Sequence, residues 1–118
     1  MRIAWIDHNT DMFVAAAEVI PGTLREGSNI EFHYESSWEK FEQTYGPVEN
    51  YDGLLIHPGV HHQKEYIERM KLLNIPVALV TASPKDYRES EIPVLSYFHV
   101  ENIANYFLQR QNPTRQEK

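Results

Sequence analysis

The sequence predicts an α/β protein whose strands form a five-stranded parallel sheet. Two patterns lead to this fold class: short apolar runs alternate along the chain with segments of helical periodicity, and turn residues separate them. A strand–helix–strand unit crosses over in a right-handed sense and leaves its two strands parallel. With 118 residues, the chain has the length of one domain. We expect residues 1–111 to form this domain and residues 112–118 to form a polar C-terminal tail.

Five segments have the composition of β-strands: residues 3–6, 30–34, 53–57, 76–80 and 93–95. In the second segment, apolar and polar residues alternate, which is typical of a half-buried edge strand. The third segment is apolar from Gly53 to Ile56, and Pro58-Gly59 follows it closely. This pattern indicates a buried strand that ends in a sharp turn.

Four segments have helical spacing of apolar residues, around residues 13–20, 38–45, 62–73 and 100–108. Asn9 or Thr10 is expected to cap the first helix, and Pro21-Gly22 to end it. Ser36 followed three residues later by Glu39 matches a capping box and predicts the start of the second helix.

The connection between the fourth and fifth strands is short. Only residues 84–91 lie between Ser83 and Ile92, which is too few for a full helix and two turns. We therefore expect the fourth helix of the alternating pattern to be shortened or missing. Tyr87, Tyr97 and Phe98 are then expected to cover sheet surface that this helix would have buried.

Composition excludes several classes of function. The net charge of -6 argues against a nucleic-acid surface, because phosphate binding needs clustered Lys and Arg. No apolar run approaches the roughly 18 residues of a membrane span. The chain contains no cysteine, so it has no disulfide, thiol nucleophile or Cys-based zinc site. The amino terminus enters a strand directly and lacks the pattern of a signal peptide, so we expect a cytoplasmic protein.

His57 holds the position where open α/β sheets place their chemistry. It follows the buried third strand, and ligands in such folds bind at the carboxyl ends of the strands. His57 is therefore the first residue to consider for a functional site.

Three segments resemble the receiver domains of response regulators. Residues 36–41 are similar to the second helix of that family, Asp52-Gly-Leu-Leu-Ile-His57 to its Asp-x-x-x-x-Asp strand, and residues 75–82 to its fourth strand. The resemblance implies a flavodoxin-like, doubly wound sheet with strand order 2-1-3-4-5.

The resemblance also implies where the phosphorylation pocket of a receiver would lie. Its acid pair corresponds to Asp7 and His8, its phosphoaccepting aspartate to His57, its hydroxyl residue to Thr81 and its lysine to Ser96. Only one acid and no lysine remain, and imidazoles are poor ligands for Mg²⁺. The family's aromatic switch position corresponds to Pro93, which has no rotamers to change. We therefore expect a degenerate pocket without aspartyl phosphorylation, catalytic residues or a cofactor.

A metal site is the alternative interpretation of the histidines. His8, His57 and His61 are expected near the carboxyl ends of the strands, beside Asp7. Imidazoles with one carboxylate suit Zn²⁺ or another transition metal. However, the sequence contains no complete ligand motif, and the competing interpretation is that these residues occupy a pocket that has lost its function.

Together these observations predict a pseudo-receiver rather than an enzyme. Such a domain would bind a signalling protein or an output domain, or a second copy of itself as a homodimer. The final helix and the short connection before the fifth strand are the expected interface. The alternative function is a metal- or small-ligand-binding module that uses the histidine-rich edge of the sheet.

Overall fold

A computed structural model describes residues 1–8, 11, 14–15, 30–57, 59–83 and 91–116 of the chain, with side chains described for all of these except 60–63, 100 and 111–116. The elements are β1 (Arg2–Ile6), β2 (Glu31–Glu35), α1 (Trp38–Tyr45), a 3₁₀ turn (Val48–Asn50), β3 (Gly53–Ile56), α2 (Gly59–Lys71), β4 (Val77–Thr81), β5 (Val94–Ser96) and α3 (Val100–Gln116).

The five strands form one parallel sheet in the order β2-β1-β3-β4-β5. The chain therefore has the flavodoxin-like α/β fold, and the predicted strand order is confirmed. The order reverses direction between β1 and β3, where Ile6 lies beside Ile56. Folds of this kind bind ligands in the crevice at such a reversal point.

Side chains on the two faces of the sheet form two separate cores. Alternate residues of a strand point to opposite faces, so Trp5 and Leu55 pack with α3, whereas Ile6 and Ile56 pack with α1 and α2. The residues that α1, α2 and α3 contribute to these cores are Trp38, Phe41, Tyr66, Met70, Ile103, Ala104, Tyr106 and Phe107. Every residue of β3 is buried, as its uniformly apolar sequence predicts.

Gly53 lets α3 pack closely against the centre of the sheet. A Cβ atom at this position would lie 2.5 Å from Phe107 Cδ1 and 2.9 Å from Ile3 Cδ1. Both separations are far shorter than van der Waals contact. The glycine that opens β3 therefore sets how near Phe107 can approach the sheet.

Two helix starts differ from the sequence predictions. The N-cap of α1 is Ser37, whose side chain accepts a hydrogen bond from the Lys40 N–H at 3.2 Å, so the predicted cap at Ser36 is wrong. Helix α2 begins at Gly59, three residues before the predicted start at His62. The histidine pair at 61–62 therefore belongs to the first turn of α2.

The connections and the C-terminal end show further differences. Tyr97 is buried as expected, but Phe98 is 67% exposed and does not cover the sheet. Helix α3 continues through Gln116, so residues 112–116 of the predicted tail are helical. Most of the predicted first helix, and residues 84–90 with Tyr87 and the shortened fourth helix, lie outside the described residues.

Candidate functional site

Four strands end side by side at one edge of the sheet. Asp7 and His57 follow β1 and β3, and Thr81 and Ser96 are the last residues of β4 and β5. A main-chain hydrogen bond links the ends of β1 and β3 here, since the His57 N–H donates to Ile6 O at 3.0 Å. We call this region the carboxyl edge and define it by Asp7, His8, His57, Thr81, Ser96 and Tyr97.

Asp7 is completely buried, and two side-chain donors bind one oxygen of its carboxylate. Its Oδ2 atom accepts hydrogen bonds from Trp5 Nε1–H at 3.2 Å and from the Tyr97 hydroxyl. The main-chain carbonyl of Asp7 accepts a hydrogen bond from the Tyr34 hydroxyl, and its N–H donates to Glu35 O at 3.0 Å. The one acid of the predicted pocket is thus part of the folded core.

Trp5 and Tyr97 contact Asp7, and the sequence pattern predicted neither contact. The two rings are stacked, with centres 6.4 Å apart and planes inclined by 17°. A signal for Tyr97 was present in the chain, because it directly follows Ser96 at the end of β5. The apolar pattern of β1 gave no sign that the Trp5 indole also serves as a donor.

His57 is half-buried and has a defined tautomer. Its Nδ1 atom lies 2.9 Å from the carbonyl oxygen of Val80 in β4. A carbonyl oxygen only accepts, so Nδ1 carries the proton and Nε2 of the neutral ring has a free lone pair. The centre of the exposed His8 ring lies 4.9 Å from that of the His57 ring, and the centre of the Tyr97 ring lies 5.9 Å from it.

The two hydroxyl residues of the predicted pocket hold the turns that follow their strands. Thr81 Oγ1 accepts a hydrogen bond from the Ser83 N–H at 3.1 Å. Ser96 Oγ accepts one from the Phe98 N–H at 3.1 Å. Both side chains are therefore engaged in short local turns of the kind that Ser and Thr commonly form.

The structure brings two of the three candidate metal ligands together. His8 and His57 lie together, whereas the side chain of His61 lies outside the described residues. Across the described side chains, no group of three His, Cys, Asp or Glu residues is placed to hold a metal ion. Among the same residues, no helix is long and apolar enough to cross a bilayer.

A second polar cluster lies on the edge strand β2, around His33. His33 contacts Tyr51 through Nδ1, with 2.5 Å to the hydroxyl, and contacts the Glu31 carboxylate through Nε2. The Tyr45 ring lies against the same imidazole at 4.9 Å. Burial raises the pKa of Tyr51, because the phenolate would lose its hydration, and the nearby Arg2 opposes this shift.

Chemically, the carboxyl edge offers imidazole nitrogens and a shielded carboxylate. The lone pair of His57 Nε2 can bind a metal ion, while Oδ2 of the Asp7 carboxylate accepts hydrogen bonds from Trp5 and Tyr97. Comparisons of the chain with protein-family models, curated proteins and solved structures found no match.

Proposed function

We propose that this chain is a receiver-like signalling domain that does not use aspartyl phosphate and acts by binding another protein. The observation that carries the proposal is the state of Asp7, whose buried carboxylate is held by Trp5 and Tyr97. The strand order β2-β1-β3-β4-β5 supports the receiver-like framework. At the end of β3, where a receiver carries its phosphoaccepting aspartate, this chain has His57.

Asp7 is unsuited to accept a phosphoryl group. Turning the carboxylate toward a phosphoryl donor would break the hydrogen bonds that Oδ2 accepts from the Trp5 N–H and the Tyr97 O–H. Leaving a buried donor unpaired costs about 1–3 kcal/mol for each group. Trp5 and Tyr97 are both buried, so water does not readily replace the lost contacts.

The six residues that define the carboxyl edge include no lysine or arginine that would hold a phosphoryl group. Mg²⁺ prefers an octahedral set of oxygen ligands, and His8 and His57 supply nitrogen instead. Ser96 stands where a receiver has its lysine, and its neutral hydroxyl accepts a hydrogen bond from Phe98 N–H. The phosphoryl group would therefore meet no positive charge from this position.

Incubation with acetyl phosphate and Mg²⁺ tests the loss of phosphorylation. We expect the intact mass of the chain to stay unchanged. The Asp7→Asn variant is the matched control, because asparagine cannot form an acyl phosphate. A hydroxylamine-sensitive adduct on the native chain that is absent from Asp7→Asn would falsify this part of the proposal.

The interaction surface is proposed to lie where β5 leads into α3. Phe98 stands at this point, directly after the buried Tyr97, with 67% of its surface exposed. Large aromatic side chains supply much of the binding energy at protein interfaces. Leu72 is also exposed, at 83%, but it follows α2 at the opposite edge of the sheet.

Affinity capture from cells of the source organism tests the interface. We expect at least one protein to be enriched by the native chain and by Leu72→Ala, and to be lost with Phe98→Ala. A second copy of the chain is one such protein, and sedimentation would then show a dimer that Phe98→Ala disrupts. Equal capture by all three chains, or none, would contradict the proposal.

A further inference from the structure

Two imidazole rings at the carboxyl edge have the spacing of ligands that share one metal ion. The ring centres of His8 and His57 are 4.9 Å apart, and the ring planes are inclined by 42°. With metal–nitrogen bonds of about 2.0–2.1 Å, two imidazoles on one ion place their ring centres roughly 5 Å apart. We propose that His8 and His57 bind a late first-row transition-metal ion, Cu²⁺ or Zn²⁺.

The hydrogen bond of His57 prepares one of these ligands. Its Nδ1–H donates to Val80 O at 2.9 Å, which leaves the Nε2 lone pair free for a metal. Histidines that ligate metals commonly donate their other ring N–H to a backbone carbonyl in this way, which fixes the tautomer and the ring orientation. Val80 is fully buried in β4, which pairs with β3 on one side and β5 on the other, so the sheet holds this carbonyl in place.

The chemistry of the ligands selects the class of metal. Imidazole nitrogens suit Cu²⁺, Ni²⁺ and Zn²⁺, and the general order of affinities places Cu²⁺ above Zn²⁺. The Asp7 carboxylate is engaged with Trp5 and Tyr97, so it is not part of the proposed ligand set. His8 is exposed and gives the ion access, and water completes the coordination. The net charge of -6 also favours the approach of a cation.

This inference does not rest on the proposed signalling function, because metal binding is measured on the purified chain without a partner protein. The tag-free chain is titrated at neutral pH with Cu²⁺ and with Zn²⁺, and calorimetry reports affinity and stoichiometry. Electron paramagnetic resonance of the Cu²⁺ complex reports the nitrogen ligands. Variants His8→Ala, His57→Ala and His99→Ala are compared, and circular dichroism verifies that each one is folded.

We expect one ion per chain, with Cu²⁺ bound more tightly than Zn²⁺ and two imidazole nitrogens coordinated. Removal of either imidazole ends chelation and should weaken binding roughly 100-fold. His8→Ala should disturb the fold less than His57→Ala, because His8 is exposed and His57 is half-buried. His99 is also exposed but lies beyond β5 and beside Glu101, so His99→Ala should bind like the native chain. Absence of binding, or binding that survives His8→Ala and His57→Ala, overturns the proposal.

Discussion

Asp7 combines complete burial with a side chain that is ordinarily ionised. Burying a carboxylate is costly unless hydrogen bonds replace its hydration. The Trp5 indole and the Tyr97 hydroxyl provide two such bonds at Oδ2. Trp5 lies in β1 and Tyr97 directly follows β5, so the carboxylate also ties β1 to the end of β5. Removing the Tyr97 hydroxyl should therefore lower the free energy of unfolding more than removing the hydroxyl of another buried tyrosine.

Tyr97→Phe tests this view of the cluster. The substitution keeps the buried ring but removes the O–H donor, so the Asp7 carboxylate loses a hydrogen bond to a charged group. Such bonds contribute about 1.5–3 kcal/mol, and we expect the free energy of unfolding to fall by this amount. Urea denaturation followed by tryptophan fluorescence measures the loss.

Tyr106→Phe is the matched control for Tyr97→Phe. Tyr106 is also largely buried, but its hydroxyl donates to the neutral carbonyl of Val77 at 2.5 Å, and the charge beside its ring is the Arg110 guanidinium rather than a carboxylate. Hydrogen bonds between neutral groups contribute about 0.5–1.5 kcal/mol. If Tyr106→Phe lowers the free energy of unfolding as much as Tyr97→Phe does, the hydrogen bond to Asp7 contributes no more than one to a neutral carbonyl.

The two tryptophans make a second comparison at the scale of single residues. Both are buried, but Trp5 Nε1 donates to Asp7, whereas Trp38 Nε1 has no hydrogen-bond partner within the described part of the chain. A Phe substitution removes a useful donor at Trp5 and an unsatisfied one at Trp38. We expect Trp5→Phe to be more destabilising by about 1–3 kcal/mol, again measured by urea denaturation. Equal losses would mean that ring volume alone determines the effect.

At the scale of elements, the start of α1 shows how one cap is selected from two serines. Ser37 has extended backbone angles, with φ -148 and ψ 160, and its side chain accepts from the Lys40 N–H. Replacing a capping serine by alanine costs about 0.5–2 kcal/mol. We expect this loss of stability for Ser37→Ala and little change for Ser36→Ala, which serves as the control. Thermal denaturation of both variants checks the difference, and the reverse order would place the cap at Ser36.

The sequence pattern locates elements better than it locates their first residues. Apolar periodicity identified all five strands, but Ser36 and Ser37 have the same capping chemistry. The Glu39 that favoured Ser36 lies one residue before Lys40, whose N–H the cap actually binds. Likewise, Pro58-Gly59 indicated only a turn, although Gly59 already belongs to α2. The extended backbone angles of Ser37, which composition does not specify, decide the first case.

At the scale of the whole molecule, strand order was beyond what periodicity could determine. The order 2-1-3-4-5 came from the family resemblance, and the structure confirms it. Placement of Asp7 and His57 at one edge was predictable, because parallel strands end at the same edge of a sheet. The hydrogen bond between the Asp7 carboxylate and Tyr97 could not be predicted, since the two residues are 90 positions apart in the chain. Contacts of this range depend on the assembled fold.

Alkaline pH should destabilise the whole molecule. Burial raises the pKa of Tyr51 and of Tyr106, and hydrogen bonds to Glu91 and Glu68 raise the pKa of Lys71. The folded chain therefore binds these protons more tightly than the unfolded chain does. Their stabilisation is complete below the ordinary pKa values of about 10 and is lost as the pH rises through the raised values. We expect the free energy of unfolding to decline above about pH 10, with a shallower decline in the Tyr51→Phe/Tyr106→Phe double variant. Urea denaturation from about pH 8 to pH 11 measures both slopes, and equal slopes would contradict the assignment to these tyrosines.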